Sequence, residues 1–225
     1  MTAPFRKGLT MGFLLLFPLP ILAAEDAIES RGDTITVRVW DGAQIDASIL
    51  ENAKQVIEQL FQPMRIEIRW VDCLADPTPQ NQRCISPAGP NDISVRIHRS
   101  TEQRQRLGQE IAGVALPSPL NAGSGFIQVF FDRLEEISQD RKGEAPLGLI
   151  LGLTIAHEIG HLLLPGKQHS LSGIMQGCVG LRNLRLAARG WMSFTVEQRR
   201  AIGENVRKWG SLSESSATVY AKLLP

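Results

Sequence analysis

A chain of 225 residues, 43 % hydrophobic and 21 % charged, has the length of one domain and the composition of an ordinary globular protein with enough apolar side chains for a core. Its 24 basic and 23 acidic residues leave a formal charge of +1. That balance argues against nucleic acid as a general partner, and no basic tail or aromatic-interleaved strand motif points to one.

The N-terminus differs from the rest. Arg6 and Lys7 precede an apolar run from Met11 to Leu22, and the small residues Ala23 and Ala24 then meet Glu25 and Asp26. A positive start, a short apolar stretch and a small-residue cleavage site read as a secretory signal peptide over residues 1–24, cut after Ala24. The run is short for a bilayer and holds Pro18 and Pro20, so no stable membrane insertion is expected after cleavage. Loss of Arg6 and Lys7 brings the mature chain to −1, with a secreted or periplasmic destination. Residues 25–210 are then the folded domain.

Residues 34–40 alternate and are rich in β-branched side chains, which predicts a strand. Ile45, Ile49, Ala53, Val56, Ile57 and Leu60 recur at helical spacing and predict an amphipathic helix over 45–60. Residues 65–71 and 93–98 alternate again as second and third strands. A strand, a helix and a parallel strand form a crossover that lays the helix on one face of a sheet. Between the second and third strands, Cys73 and Cys84 bracket a polar, proline-containing loop at a spacing suited to a disulfide in an oxidising compartment. Cys178 is left over: a buried free thiol, an intermolecular partner, or a thiolate near a metal.

His98, at a strand end far from the other three histidines, reads as a surface or hydrogen-bonded side chain rather than a ligand. Residues 100–110 are polar and read as a solvated helix or loop. Prolines near residues 113–117 make that segment an edge strand, which is either a place where unpaired backbone groups hydrogen-bond an extended peptide or an ordinary sheet edge. Residues 125–132, after a Gly- and Ser-containing turn, predict the last strand.

Three of the four histidines fall in one stretch, at His157, His161 and His169. Pro146 opens a helix that is apolar nearly all round, from Leu147 to beyond His161, and so runs through the core. The four-residue step from His157 to His161 puts both imidazoles on one face a turn apart, the separation needed to share a zinc ion. Glu158 lies beside that position without being its natural ligand, so it is the expected general base toward a metal-activated water. Pro165 and Gly166 stop the helix and let the chain fold back, which brings His169 in as third ligand. Three protein ligands with a fourth position open define a catalytic site for one Zn2+.

These residues resemble the metzincin clan of zinc endopeptidases, whose signature is H-E-x-x-H-x-x-G-x-x-H followed by a methionine-containing turn. The resemblance covers the metal helix, the third histidine and Met175 after Gly173-Ile174. The chain departs from it in one spacing: His169 comes eight residues after His161 instead of six, while Gly166 and His169 keep the G-x-x-H relation. The resemblance implies an α+β fold with a twisted mixed sheet, backing helices, an active-site helix and a small C-terminal lobe. It implies a secreted endopeptidase acting on peptide or protein substrates, with zinc on His157, His161 and His169 and Glu158 as base. Segments 113–117 and 125–132 look like strands of the matrixin branch. The histidines and aspartate by which matrixins hold further metals there are missing, so no structural metal is expected.

Beyond Met175, Arg182, Arg185, Arg189 and Trp191 occupy the region that in the clan walls the pocket beyond the scissile bond. They form either a preference for acidic or long residues or a solvated basic face. Thr195 and Gln198 sit as a capping box for a final helix to about Trp209, and residues 211–225 read as a loosely held tail. With Tyr220 the sole tyrosine, an auxiliary tyrosine ligand is not expected. Two other readings stay open: a non-proteolytic zinc-binding exported protein with a degenerate site, and a peptidase in which an acid such as Glu197 replaces His169.

Overall fold

The computed structural model describes residues 33–73, 82–99, 106–108, 110–119, 123–140, 145–166, 169–177 and 181–223. The expected signal peptide, most of the bracketed loop, most of the 100–110 segment and Cys178 lie outside the described residues.

Five strands form one sheet: β1 (Asp33–Asp41), β2 (Ile66–Cys73), β3 (Asp92–His98), β4 (Gly113–Pro117) and β5 (Gly125–Phe130), in the order β2-β1-β3-β5-β4. Four run parallel, and β4 pairs antiparallel with β5 at the edge. The protein is therefore a mixed α/β fold with a mostly parallel sheet and backing helices. Alternation explains which face is covered: Ile35, Val37 and Val39, Ile93, Val95 and Ile97, and Ile127 and Val129 all point into one core. Helix α1 (Ala47–Phe61) adds Ala53, Ile57 and Leu60 to that core, beginning where the Asp46 carboxylate accepts the Ser48 N–H at 2.8 Å.

The disulfide Cys73–Cys84 closes the end of β2 onto a short helix, α2 (Gln82–Ile85). The buried Arg38 side chain then holds the following segment, donating to the Ser86 and Pro87 carbonyls and pairing with Asp92. The segment from Cys84 to Asp92 is thus tied to the sheet at both ends.

The central helix α4 (Leu147–Leu163) follows α3 (Phe131–Asp140) and is buried along almost its whole length. It packs against α1 at very short range. A Cβ on Gly148 would lie 2.7 Å from that of Asn52, and one on Gly152 would lie 2.8 Å from the Ala53 carbonyl. This close packing leaves the helix that carries His157 and His161 little freedom to tilt.

The C-terminal part comprises α5 (Leu181–Ala188) and α6 (Val196–Leu223). The capping box forms as expected: Thr195 N–H donates to Gln198 Oε1 at 2.9 Å, and Gln198 N–H to Thr195 Oγ1 at 3.3 Å. Two boundaries differ from the sequence reading. The last helix runs on to Leu223 instead of stopping near Trp209, and β5 ends at Phe130, where α3 begins with no intervening turn. Helices α2, α3 and α5 were not foreseen.

Candidate metal centre

His157 and His161 occupy one face of α4, as the four-residue spacing requires, and their Nε2 atoms are 3.0 Å apart. The helix ends at Leu163; Leu164, restricted by the following proline, turns to an extended backbone conformation. Gly166 then takes φ +84°, a left-handed conformation that suits glycine. The eight-residue step from His161 to His169 passes through this bend. His169 comes back so that its Nε2 lies 3.3 Å from that of His161. Ligand atoms of the three histidines all lie within 4.8 Å of one another, and together they can hold a metal ion.

The donor chemistry fits such an ion. Nitrogens bound to one tetrahedral zinc at about 2.0–2.1 Å are about 3.4 Å apart, close to the two spacings between Nε2 atoms. With Nε2 as the ligating atom of each ring, nitrogens at this range suit one shared cation. His157 is also held in the correct form. Its Nδ1 is 2.8 Å from the Ile174 carbonyl; that oxygen can only accept, so Nδ1 carries the proton and Nε2 is left free to ligate. Burial pushes the His157 pKa down, against the opposing pull of the Ile174 carbonyl, and the neighbouring His169 adds to the lowering.

A turn at residues 173–175 supports the centre from below. Ile174 N–H donates to the Ser193 carbonyl at 3.1 Å and Ser170 N–H to the Met175 carbonyl at 2.8 Å. Met175 is buried directly against the helix: a Cβ on Gly160 would fall 2.3 Å from its Sδ. Gly177 backs the His169 ring in the same way, with 2.8 Å between a hypothetical Cβ and Nδ1. At the helix end, Asn205 of α6 donates from Nδ2 to the Leu163 carbonyl at 2.8 Å, satisfying one of the acceptors a helix terminus leaves over.

Glu158 is buried and faces the edge strand. Desolvation pushes its pKa up to about 7, and a hydrogen bond from the Ala115 N–H opposes the rise. Gly113 makes this approach possible, because a Cβ there would lie 3.0 Å from Glu158 Cγ and 3.1 Å from Oε1. The carboxylate therefore sits between the histidine helix and β4. Sequence reasoning singled out 113–117 as an edge, but not that its backbone holds Glu158; the two small residues at 113 and 115 were the available signal. Nor did it foresee the roles of the Ile174 carbonyl, Gly177 or Asn205.

The remaining candidates lie elsewhere. His98, at the end of β3, has its pKa lowered by burial and by Arg96. Glu197 is exposed at the start of α6, where its carboxylate meets its own backbone N–H and the Thr195 hydroxyl. Among the described residues, neither joins the three-histidine cluster.

Fold and site thus define an α/β protein with a three-histidine centre able to hold a metal and a buried glutamate beside it. No family model and no curated protein matches the chain. Among solved structures it is similar to the solution structure of TM1509 from Thermotoga maritima, described as a NESGC target protein. That similarity is 16 % identity and a TM-score of 0.32, over 80 % of this chain and 93 % of that one, too distant to bear on the chemistry.

Proposed function

We propose that the chain is an exported zinc-dependent endopeptidase of metzincin type. The observation that carries this reading is the convergence of His157, His161 and His169 beside Glu158, which is buried and hydrogen-bonded to an edge strand. A metal store has no need of that carboxylate; a hydrolase does. Bound zinc supplies a Lewis acid that acidifies a water and polarises a peptide carbonyl. Glu158 takes the proton of the attacking water and returns it to the leaving amine, the two transfers asked of a positioned general base. Strand β4 offers its outer backbone groups to an extended peptide, and its Ala115 N–H fixes where the Glu158 carboxylate stands relative to that peptide. Support also comes from the mixed sheet with its antiparallel edge strand against the histidine helix, and from the buried Met175 turn.

Export rests on the N-terminal sequence and is consistent with the Cys73–Cys84 disulfide. No helix among the described residues is long and apolar enough to cross a membrane.

The test is cleavage of a mixed peptide library by the zinc-loaded protein and by Glu158→Ala. Cleavage that disappears in the variant while one zinc per chain is retained supports the peptidase. Zinc binding with no peptide cut by the unaltered protein supports the non-proteolytic reading instead.

A further inference from the structure

Helix α4 cannot close its own C-terminus. Its last turn leaves carbonyl groups over, and a helix commonly satisfies some of them by turning left-handed just past its end, where the next N–H groups fold back. Leu164 N–H does reach the Gly160 carbonyl, at 2.9 Å. The next residue is Pro165, which has no N–H to give the His161 carbonyl and whose ring bars the left-handed conformation. That conformation comes one place later, at Gly166 with φ +84°. The side-chain donor that meets the Leu163 carbonyl comes from another element: Asn205 of α6, at 2.8 Å. A carbonyl only accepts, so the amide nitrogen of Asn205 is the atom that faces it.

Asn205 stands on a helix face that is otherwise apolar. Ile202, Asn205, Val206 and Trp209 follow the i, i+3, i+4, i+7 pattern of one face, and Ile202 and Val206 are buried in the core. A leucine at 205 would continue that stripe, so core packing alone gives no reason for an amide there. Around this asparagine the helix is fixed to the sheet. The Val206 carbonyl accepts from Asn91 Nδ2 at 2.9 Å, and Arg207 pairs with Asp33 at 3.1 Å. Trp209 lies so close to Gly123 that a Cβ there would fall 2.3 Å from the indole. Asp33, Asn91 and Gly123 stand at or just before the starts of β1, β3 and β5.

We propose that Asn205 is a positioning residue for the metal centre: by holding the end of α4 it sets the direction in which the chain leaves the helix, and so where the His169 imidazole stands. His157 and His161 lie within α4, where backbone periodicity and close packing place them. His169 follows the bend instead. Its far side is held by the Ser170 to Met175 hydrogen bond, and Asn205 holds the near side. A small change of angle at Leu164 grows into a larger displacement at His169, whose Nε2 must stay within 3.3 Å of that of His161. The role needs a metal on the three histidines but not the peptidase activity.

The test is zinc affinity by competition with a chromogenic chelator, alongside urea unfolding of the metal-free protein. The variants are Asn205→Leu, Asn205→Ala should the larger side chain not fit, Thr195→Ala, His169→Ala, and His169→Ala combined with Asn205→Leu. Loss of the Asn205 amide is expected to weaken zinc binding about tenfold, the smaller end of what removing ligand-orienting groups costs. Thr195→Ala loosens the start of the same helix and leaves zinc affinity where it was, which separates positioning from lost stability of α6. On the His169→Ala background Asn205→Leu brings no further loss, because the ligand it positions is gone. Three results overturn the proposal: unaltered zinc affinity in an Asn205 variant that folds, an equal loss in Thr195→Ala, or a tenfold loss that persists without His169. Failure of the unaltered protein to bind zinc overturns the metal centre itself, and the role of Asn205 with it.

Discussion

His157 and His161 reach the metal position from a helix buried along almost its whole length, whereas His169 reaches it from an exposed loop. The helix fixes its pair by backbone periodicity and by packing at van der Waals limits against α1 and Met175. The loop fixes its single ligand by a left-handed glycine, the Ser170–Met175 backbone hydrogen bond and the glycine behind the imidazole. A helix cannot tolerate two inserted residues without turning its ligands to another face, but a loop can. This is how an eight-residue step from His161 can still bring the His169 Nε2 within 3.3 Å of the His161 Nε2.

Substitutions on the helix side probe chemistry and core together. The largest effect is expected at Glu158: its change to alanine lowers kcat on a cleavable peptide by about 10²–10⁴-fold, the usual contribution of a positioned base, with zinc content unchanged. Peptide turnover alongside metal analysis checks both halves.

The same side chain makes the metal-free protein sensitive to pH. Its folded pKa is raised from 4.5 to about 7 by burial, so the folded state holds the proton more tightly than the unfolded chain does. Its stabilising contribution is full below the ordinary glutamate range and is lost as pH rises through about 7. Glu158→Gln removes this dependence. Above neutrality the metal-free variant is expected to be more stable than the unaltered protein by roughly 3 kcal/mol, and urea unfolding across pH should show the gap closing on acidification.

Gly160→Ala places a Cβ against Met175 on the helix side, and overpacking of this kind costs about 1–3 kcal/mol. Displacement of the 173–175 turn should weaken zinc binding too, since the Ile174 carbonyl orients His157. By contrast, Gly166→Ala meets no neighbouring atom and pays only for its left-handed backbone, about 1 kcal/mol. Comparing the two in denaturant unfolding separates packing from turn geometry. Smaller still in its consequence for the site, Thr195→Ala removes one half of the capping box, costing about 1 kcal/mol with zinc affinity unaltered.

The same division governs what could be read from the chain. Periodicity identified β1, α1, β2 and β3, a continuous apolar run identified α4, and the Cys73–Cys84 bridge follows from its spacing, whereas the short amphipathic helices α3 and α5 went unread. Periodicity failed at junctions. Phe130 and Phe131 are both buried and belong to a strand and a helix respectively, so burial alone could not mark the change at residue 131. Serine-rich residues 211–219 have modest helix propensity, yet α6 continues through them because a helix already nucleated propagates readily. Backbone partners of the centre, the Ala115 N–H and Ile174 carbonyl, carry no side-chain signature. Only tertiary structure brings them to Glu158 and His157.

Whether the loop completes the centre is best measured by titrating zinc into the metal-free protein and its His161→Ala and His169→Ala variants. One zinc per chain is expected for the unaltered protein, with weakened binding in both variants, because either change removes a nitrogen from the set of three. Unchanged affinity in His169→Ala would contradict it, leaving the helix pair to bind zinc without the loop.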